Sequence, residues 1–196
     1  MSIVILDTKC SNLLSVKLSI EKLGYNPIIT NDTKIILKAK KLFLPGVGSA
    51  SEIMKILSSK KLIDVIKNIK CPTLGICLGM QLLSSFSEES NGINMLGILD
   101  SCVSLLNTND LPLPHTGWNQ IFFDNYNPLF KNISSGSWFY FIHSYAFSLN
   151  KYTISKTLYN IYFSSSVQKD NFFGVQFHPE KSGCIGEKLL LNFLEM

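Results

Sequence analysis

The sequence predicts an α/β fold: a central, mostly parallel sheet flanked by helices, with an antiparallel extension. Three observations predict it. Through the first half, short runs rich in β-branched residues alternate with segments of helical periodicity, the βαβα succession that builds a parallel sheet covered on both faces. Past Leu96 the pattern changes to closely spaced strand runs separated by Asn, Pro, Gly and Ser. Finally, 46% of the 196 residues are hydrophobic and 16% charged, enough to bury a core and to exclude a disordered or acidic-tail chain. No linker, repeat or shift of composition divides the halves, so residues 1–196 read as one domain.

The elements follow in order. Ile3-Val4-Ile5-Leu6 is apolar throughout and fits a strand buried on both faces. Over 12–23, apolar residues recur at Leu14 and Leu18 and at Val16, Ile20 and Leu23, with Gly24 as a helix stop. Residues 26–30 form a second strand run. A third, 41–44, is closed by Pro45-Gly46-Val47-Gly48. Helical spacing returns through Ile53, Ile56 and Leu57, and again through Leu62, Val65, Ile66 and Ile69. Residues 72–76 are a fourth strand and 78–86 the helix after it. Beyond them, 96–106, 119–123, 137–142, 145–149, 153–159 and 161–168 read as short strands, 172–177 as a further strand and 186–194 as a closing helix.

Composition narrows the function. No apolar run reaches the ~18 residues of a membrane span. The start lacks a basic segment and carries Asp7 directly after its apolar run, so no signal peptide is expected. Five cysteines without repeating spacing point to free thiols in a reducing cytoplasm. The net charge of +4 rests on eighteen lysines and no arginine, whereas nucleic-acid grooves exploit arginine for bidentate contacts. The densest lysine group, Lys34, Lys38, Lys40 and Lys41, reads as a solvated edge. Cys10, Cys71, Cys102 and Cys184 lack ligand spacing, so no metal is expected. Gly46 and Gly48 fail the dinucleotide pattern at Ser51, and no cofactor is called for.

Chemistry concentrates in three stretches. Gly75-Ile76-Cys77-Leu78-Gly79 places a cysteine at a strand-to-helix turn between two glycines. This is nucleophile-elbow spacing: a tight turn crowds its neighbours and pushes the thiol out from the sheet edge. The following helix start favours thiolate over thiol, and the Leu78 N–H can donate to a developing oxyanion. Gly174-Val-Gln-Phe-His178-Pro179-Glu180 brings an imidazole and a carboxylate to the end of a strand. Pro179 holds His178 extended, so alternate side chains share a face. Glu180 can then fix the His178 tautomer while the other nitrogen takes the thiol proton. Pro45-Gly46-Val47-Gly48 permits close backbone approach and a second oxyanion N–H. Standing alone, each stretch has an ordinary alternative: a buried small thiol, a surface histidine, a glycine-rich turn. His115 and His143 rank behind His178 as structural histidines.

Together with Leu44-Pro-Gly-Val-Gly48, Gly75-Ile-Cys-Leu-Gly-Met-Gln81 and Val175-Gln-Phe-His-Pro-Glu-Lys-Ser182, the chain resembles the class I (triad) glutamine amidotransferases over nearly its whole length. Within that class, Pro114–Asn119, Tyr140–Tyr145 and Ser87-Glu88-Glu89 resemble the glutaminase-subunit family of imidazole glycerol phosphate synthases. The resemblance implies Cys77 as nucleophile, His178 as base and acid, and Glu180 as its orienting partner. It implies an oxyanion hole from the Val47 and Leu78 N–H groups, with or without a peptide flip in 45–48. Gly48, Gln81 and Glu89 would bind glutamine, with backbone at Ser144 and Tyr145. Asn12, Trp118, Tyr140 and Lys181 would meet a (β/α)8 cyclase partner in a heterodimer and border the ammonia passage.

The implied reaction hydrolyses glutamine through a γ-glutamyl thioester and passes ammonia to the cyclase. That partner makes imidazole glycerol phosphate and aminoimidazole carboxamide ribotide in histidine biosynthesis. Two positions depart from the family: Lys9 stands where relatives commonly have Gly in the loop after the first strand, and Ser90 replaces a frequent Gly after Glu89. The alternatives left open are the glutaminase subunit of another synthase, such as one forming an amino sugar, a stand-alone thiol hydrolase, and a regulatory subunit without catalysis.

Overall fold

The computed structural model of the chain describes residues 2–9, 12–109 and 111–196; Cys10, counted above among the free thiols, lies outside them. Four parallel strands come first: β1 (Ile3–Leu6), β2 (Pro27–Thr30), β3 (Lys41–Gly46) and β4 (Thr73–Cys77), in the spatial order β2-β1-β3-β4. Between them run α1 (Leu13–Lys22), α2 (Thr33–Ile36), α3 (Ala50–Ser59) and α4 (Ile63–Asn68), and α5 (Leu78–Gln81) follows β4. The two-residue period of a strand sends alternate side chains to opposite faces. Ile3, Ile5, Phe43, Leu74 and Ile76 pack with Val16 and Ile20 of α1 in one core. Val4, Leu6, Leu42 and Leu44 pack in the other with Ile36, Ile53, Leu57 and Ile66.

Four details differ from expectation. The helix expected over 78–86 stops after Gln81; Leu78 to Ser84 are all buried, so the run has no polar face to keep a longer surface helix in register. β3 continues through Pro45 and Gly46 because β1 pairs with it only as far as Phe43. Beyond that point a proline leaves no ladder bond unmade. The short helix α2 forms where Asp32 caps the Lys34 N–H at 2.7 Å. Finally, Lys41 does not belong to the solvated lysine edge. It is buried, donates to the Met196 carbonyl at 2.6 Å and lies over the Phe193 ring, and burial lowers its pKa.

The second half supplies β5 (Phe86–Ser87), β6 (Ile93–Asn94), β7 (Cys102–Leu105), β8 (His115–Gln120), β9 (Trp138–His143), β10 (Tyr145–Phe147), β11 (Thr153–Tyr159), β12 (Ile161–Lys169), β13 (Phe172–Val175) and α6 (Gly183–Glu195). β13 returns to the sheet parallel to β4, with Val175 opposite Ile76, and β12 and β11 continue outward antiparallel. The main sheet therefore has seven strands, with α6 adding Leu189, Leu190 and Phe193 to the α1 face. Strands β10-β7-β5-β6 form a second sheet, and β8 and β9 an antiparallel ribbon. The strands expected over 96–106 and 119–123 are instead β7 and β8, the latter starting four residues earlier, at His115. Among the described residues, no helix is long and apolar enough to cross a membrane.

Candidate active site

Cys77 ends β4 and caps α5 with φ 54° and ψ −112°, a sparsely populated conformation costing on the order of 1–3 kcal/mol. The flanking glycines are required by distance. A Cβ on Gly79 would lie 1.6 Å from the Leu44 carbonyl oxygen, and one on Gly75 would lie 2.5 Å from the Gly79 oxygen. Neither position admits a side chain without moving backbone. The elbow is therefore wedged against β3, and its strain is held by the packing of three elements. Because α5 has a single turn, its contribution to the field at the sulfur is smaller than a helix running to 86 would supply.

His178 leaves β13 in an extended conformation, φ −102° and ψ 95°, as a residue before proline should. The chain then enters a 3-10 turn, Pro179–Lys181, so Glu180 reaches back to His178 through a turn and not by alternation along a strand. The His178 Nδ1 to Glu180 Oε1 distance is 2.7 Å, and both side chains are fully buried. The loop is pinned by three bonds: His178 N–H to the Tyr140 carbonyl, Tyr140 N–H to Ser182 Oγ, and Ser182 hydroxyl to the His178 carbonyl. His178 Nε2 is buried with no hydrogen-bond partner among the described residues. Burial opposes a charge on the ring, yet the Cys77 sulfur and the Glu180 carboxylate outweigh it and raise the His178 pKa to about 10. Burial also works against the Glu180 charge, but His178 and Asn12 overcome it and hold that pKa below the usual value. The buried Glu180 carboxylate and the nearby sulfur therefore favour the protonated form of the His178 ring.

These groups border one open pocket of about 590 Å3, lined by Cys77, His178, Val47 and Leu78. Gly48, Gln81, Glu89, Ser144 and Tyr145, expected to bind glutamine, line the same pocket. Gly48 has φ +94°, and Glu89 Oε1 accepts from the Ala50 N–H at the start of α3. The Gln81 amide donates to the Tyr145 carbonyl at 2.8 Å, and the Ser144 carbonyl accepts from Leu106. Both departures from the family fall on left-handed backbone, Lys9 at φ 55° and Ser90 at φ 57°, where glycine costs least.

The four residues expected at the partner face separate. Trp118 is 53% exposed, on a strand and not in a loop, with its ring edge-on to Tyr140 at 6.2 Å. Lys181 Nζ lies 5.9 Å from the Tyr140 ring, so these three form one row. Asn12 and Lys181 both line the pocket, but Asn12 turns inward to donate to Glu180 Oε1. His115 and His143 form a buried pair, with Nδ1 of the first 3.1 Å from Nε2 of the second. Burial lowers their pKa values to about 4 and about 3, the second further depressed by its neighbour. His143 lines the same pocket as Cys77, but its Nδ1 is bonded to the Tyr145 carbonyl and its Nε2 to His115.

One contact was not anticipated from the sequence. Gln176 Nε2 lies 3.7 Å from Cys77 Sγ and its Oε1 accepts from Gln81. The signal was present: Gln176 precedes His178 by two residues on an extended segment, so both point to one face.

Fold, elbow and buried imidazole–carboxylate pair together define a class of α/β protein with a cysteine at a strand-to-helix turn beside a histidine. The chain belongs to the glutamine amidotransferase class-I family, whose model it matches over residues 4–196. Over the full length of both chains it is 59% identical to the imidazole glycerol phosphate synthase subunit HisH of Buchnera aphidicola subsp. Acyrthosiphon pisum (strain APS). It is 54% identical, again over both full lengths, to the protein of that name from Shigella flexneri. Among solved structures, a glutamine amidotransferase superposes with a TM-score of 0.76 at 17% identity, covering 99% of this chain and 98% of that one. At that identity the likeness shows the fold.

Proposed function

We propose that this chain is the glutaminase subunit of an imidazole glycerol phosphate synthase and works with a cyclase partner in histidine biosynthesis. The observation that carries the chemistry is the meeting of Cys77 and His178 in one pocket with Gln81 and Glu89, with Glu180 buried behind His178 and paired to its ring. The full-length identity to HisH proteins supports the choice of synthase. In this reading residues 1–196 are one domain, the protein is cytoplasmic, and the partner is a (β/α)8 barrel bound as a heterodimer.

The Cys77 sulfur attacks the side-chain amide carbon of glutamine, and the Val47 and Leu78 N–H groups receive the oxyanion. His178 gives its proton to the departing ammonia, leaving a γ-glutamyl thioester. Water then adds, its proton passing to His178, and the C–S bond breaks to release glutamate. Glu180 keeps the imidazole oriented and stabilises it while charged. Ammonia leaves along the face carrying Trp118, Tyr140 and Lys181 toward the cyclase.

The test is Cys77→Ser in the assembled complex. Glutamine-dependent cyclisation should disappear, while free ammonia still supports product formation, because the second reaction has its own site. Loss of both activities in a well-folded complex would sink the two-site reading, and full glutamine turnover by the isolated wild-type chain would point to a stand-alone hydrolase.

A further inference from the structure

Among the described residues, the Cys77 sulfur has, besides His178, two polar neighbours of opposite hydrogen-bonding sense. On one side the Ile142 carbonyl oxygen lies 3.7 Å away, where it accepts from a thiol S–H and repels a thiolate. On the other, Gln176 Nε2 lies at the same distance as a donor. Which end of an amide faces a sulfur is set by its hydrogen-bond network, and here the network is unambiguous. The Tyr145 carbonyl can only accept, so the Gln81 atom 2.8 Å from it is the nitrogen. That nitrogen also lies 3.0 Å from Gln176, so the Gln176 atom there is the oxygen. The remaining end of Gln176, its NH2 group, is thereby aimed at the sulfur. The Tyr145 carbonyl is itself fixed by His143 Nδ1 at 3.0 Å.

Gln176 is fully buried between Val175 and Phe177, where an apolar residue would fill the space without the desolvation cost of an amide. Among the described residues, its two polar ends hydrogen-bond Gln81 and the sulfur.

We propose that Gln176 is a further catalytic residue, a fixed donor that holds the Cys77 sulfur whenever it is anionic. The proposal rests on the glutaminase reading above and adds a group to its site. Before acylation the sulfur carries the electron pair that forms the S–C bond to the substrate. In deacylation a water oxygen bonds to the acyl carbon, its proton goes to His178, and the C–S bond breaks with the electron pair returning to sulfur. At both moments a charge-assisted N–H···S bond from Gln176 is at its strongest. Between them, while sulfur is bound to carbon, the bond weakens. The donor thus offsets the Ile142 carbonyl and makes thiolate the better leaving group.

The experiment follows Cys77 alkylation by iodoacetamide against pH in the full chain, read by mass spectrometry, for wild type, Gln176→Met and Gln176→Glu. Gln176→Met keeps the side-chain length and removes the donor without adding charge, and carries the test; Gln176→Glu sets a carboxylate against the sulfur and should raise the midpoint further. The labelling midpoint should rise by about one pH unit, so that labelling below it slows about tenfold. An unmoved midpoint in a variant with a wild-type thermal melt overturns the proposal. A second measurement needs no Gln176 variant: the Gln176 side-chain N–H resonance should move with the Cys77 titration and lose that dependence in Cys77→Ala. A resonance flat through the titration overturns the proposal whether or not the variants fold. Neither readout uses glutamine, so absence of glutamine turnover would count against the function alone.

Discussion

At the scale of single residues, Asn12 changes how the site is understood. Its amide and His178 Nδ1 converge on the same oxygen, Glu180 Oε1. Asn12 sits at the start of α1, lines the pocket and is buried, so it links the first helix to the catalytic carboxylate. A hydrogen bond to a charged group contributes about 1.5–3 kcal/mol. Asn12→Ala should therefore slow glutamate release at least about tenfold in the complex, and raise the Glu180 pKa. Asn12→Asp should be worse, because it sets a second carboxylate against Glu180. A residue serving only the ammonia passage gives another outcome: normal glutamate release with product falling short of it. Steady-state assay of both products distinguishes the two. Lys9 and Ser90 make a complementary point: each keeps a left-handed turn without glycine, at a cost of roughly 1–2 kcal/mol.

At the scale of elements, legibility tracked burial pattern. β1, β3 and β4 were readable as short apolar runs closed by turn residues, and α1 and α3 because helical spacing divided apolar from polar positions. The stretch from Leu78 to Ser84 is buried throughout, so period carried no information about where α5 stops. The β8–β9 ribbon was hard for the opposite reason. Its inner face holds polar residues, His115 and His143, among Phe139 and Phe141, and polar residues in a core defeat a hydrophobic pattern. Of the site, the motif residues were legible from local spacing. For Gln176 the two-residue spacing to His178 was legible but its contact with the sulfur was not, and the inward turn of Asn12 depended on a contact across the sheet edge that no local pattern encodes.

The histidine pair also predicts an acid response. Both pKa values are lowered in the folded chain, to about 4 and about 3, against about 6.5 unfolded. Between pH 6.5 and about 4.5 the unfolded state binds the extra protons, so stability falls as pH falls through that window. His178, raised to about 10, works the other way near pH 6.5, gaining stability as the unfolded ring takes its proton, and adds no slope below about pH 5.5; the Glu180 contribution, with its lowered pKa, is lost only below about pH 4.5. Each histidine adds a slope of up to ~1.4 kcal/mol per pH unit. Urea midpoints from pH 7 to 4.5 should decline for wild type and decline less steeply for His143→Gln. Parallel slopes would show that the pair takes protons while folded.

At the scale of the whole molecule, the row of Trp118, Tyr140 and Lys181 stands on the outward side of the ribbon whose inner side builds the core. Trp118 is half-exposed, so a role as core plug is excluded. Trp118→Ala should leave the thermal midpoint of the isolated chain nearly unchanged, within the ~0.5 kcal/mol usual for surface positions. Association with the cyclase should weaken by ~2 kcal/mol or more, as for an interface anchor, and glutamate released should exceed imidazole product. One-to-one products with unchanged affinity would remove Trp118 from the interface. The place of β13 has a separate consequence, in the order of synthesis. It completes the middle of the sheet, between β4 and β12, and brings Gln176 to Cys77 across 99 positions of chain. At about 5–20 residues per second on the ribosome, the finished elbow waits on the order of 5–20 s for its histidine. Throughout that interval β4 offers a bare parallel edge to any passing strand, a hazard for aggregation and a natural point of chaperone contact. The same delay keeps Cys77 and His178 apart: a nascent chain holds the elbow without the histidine until the sheet is closed.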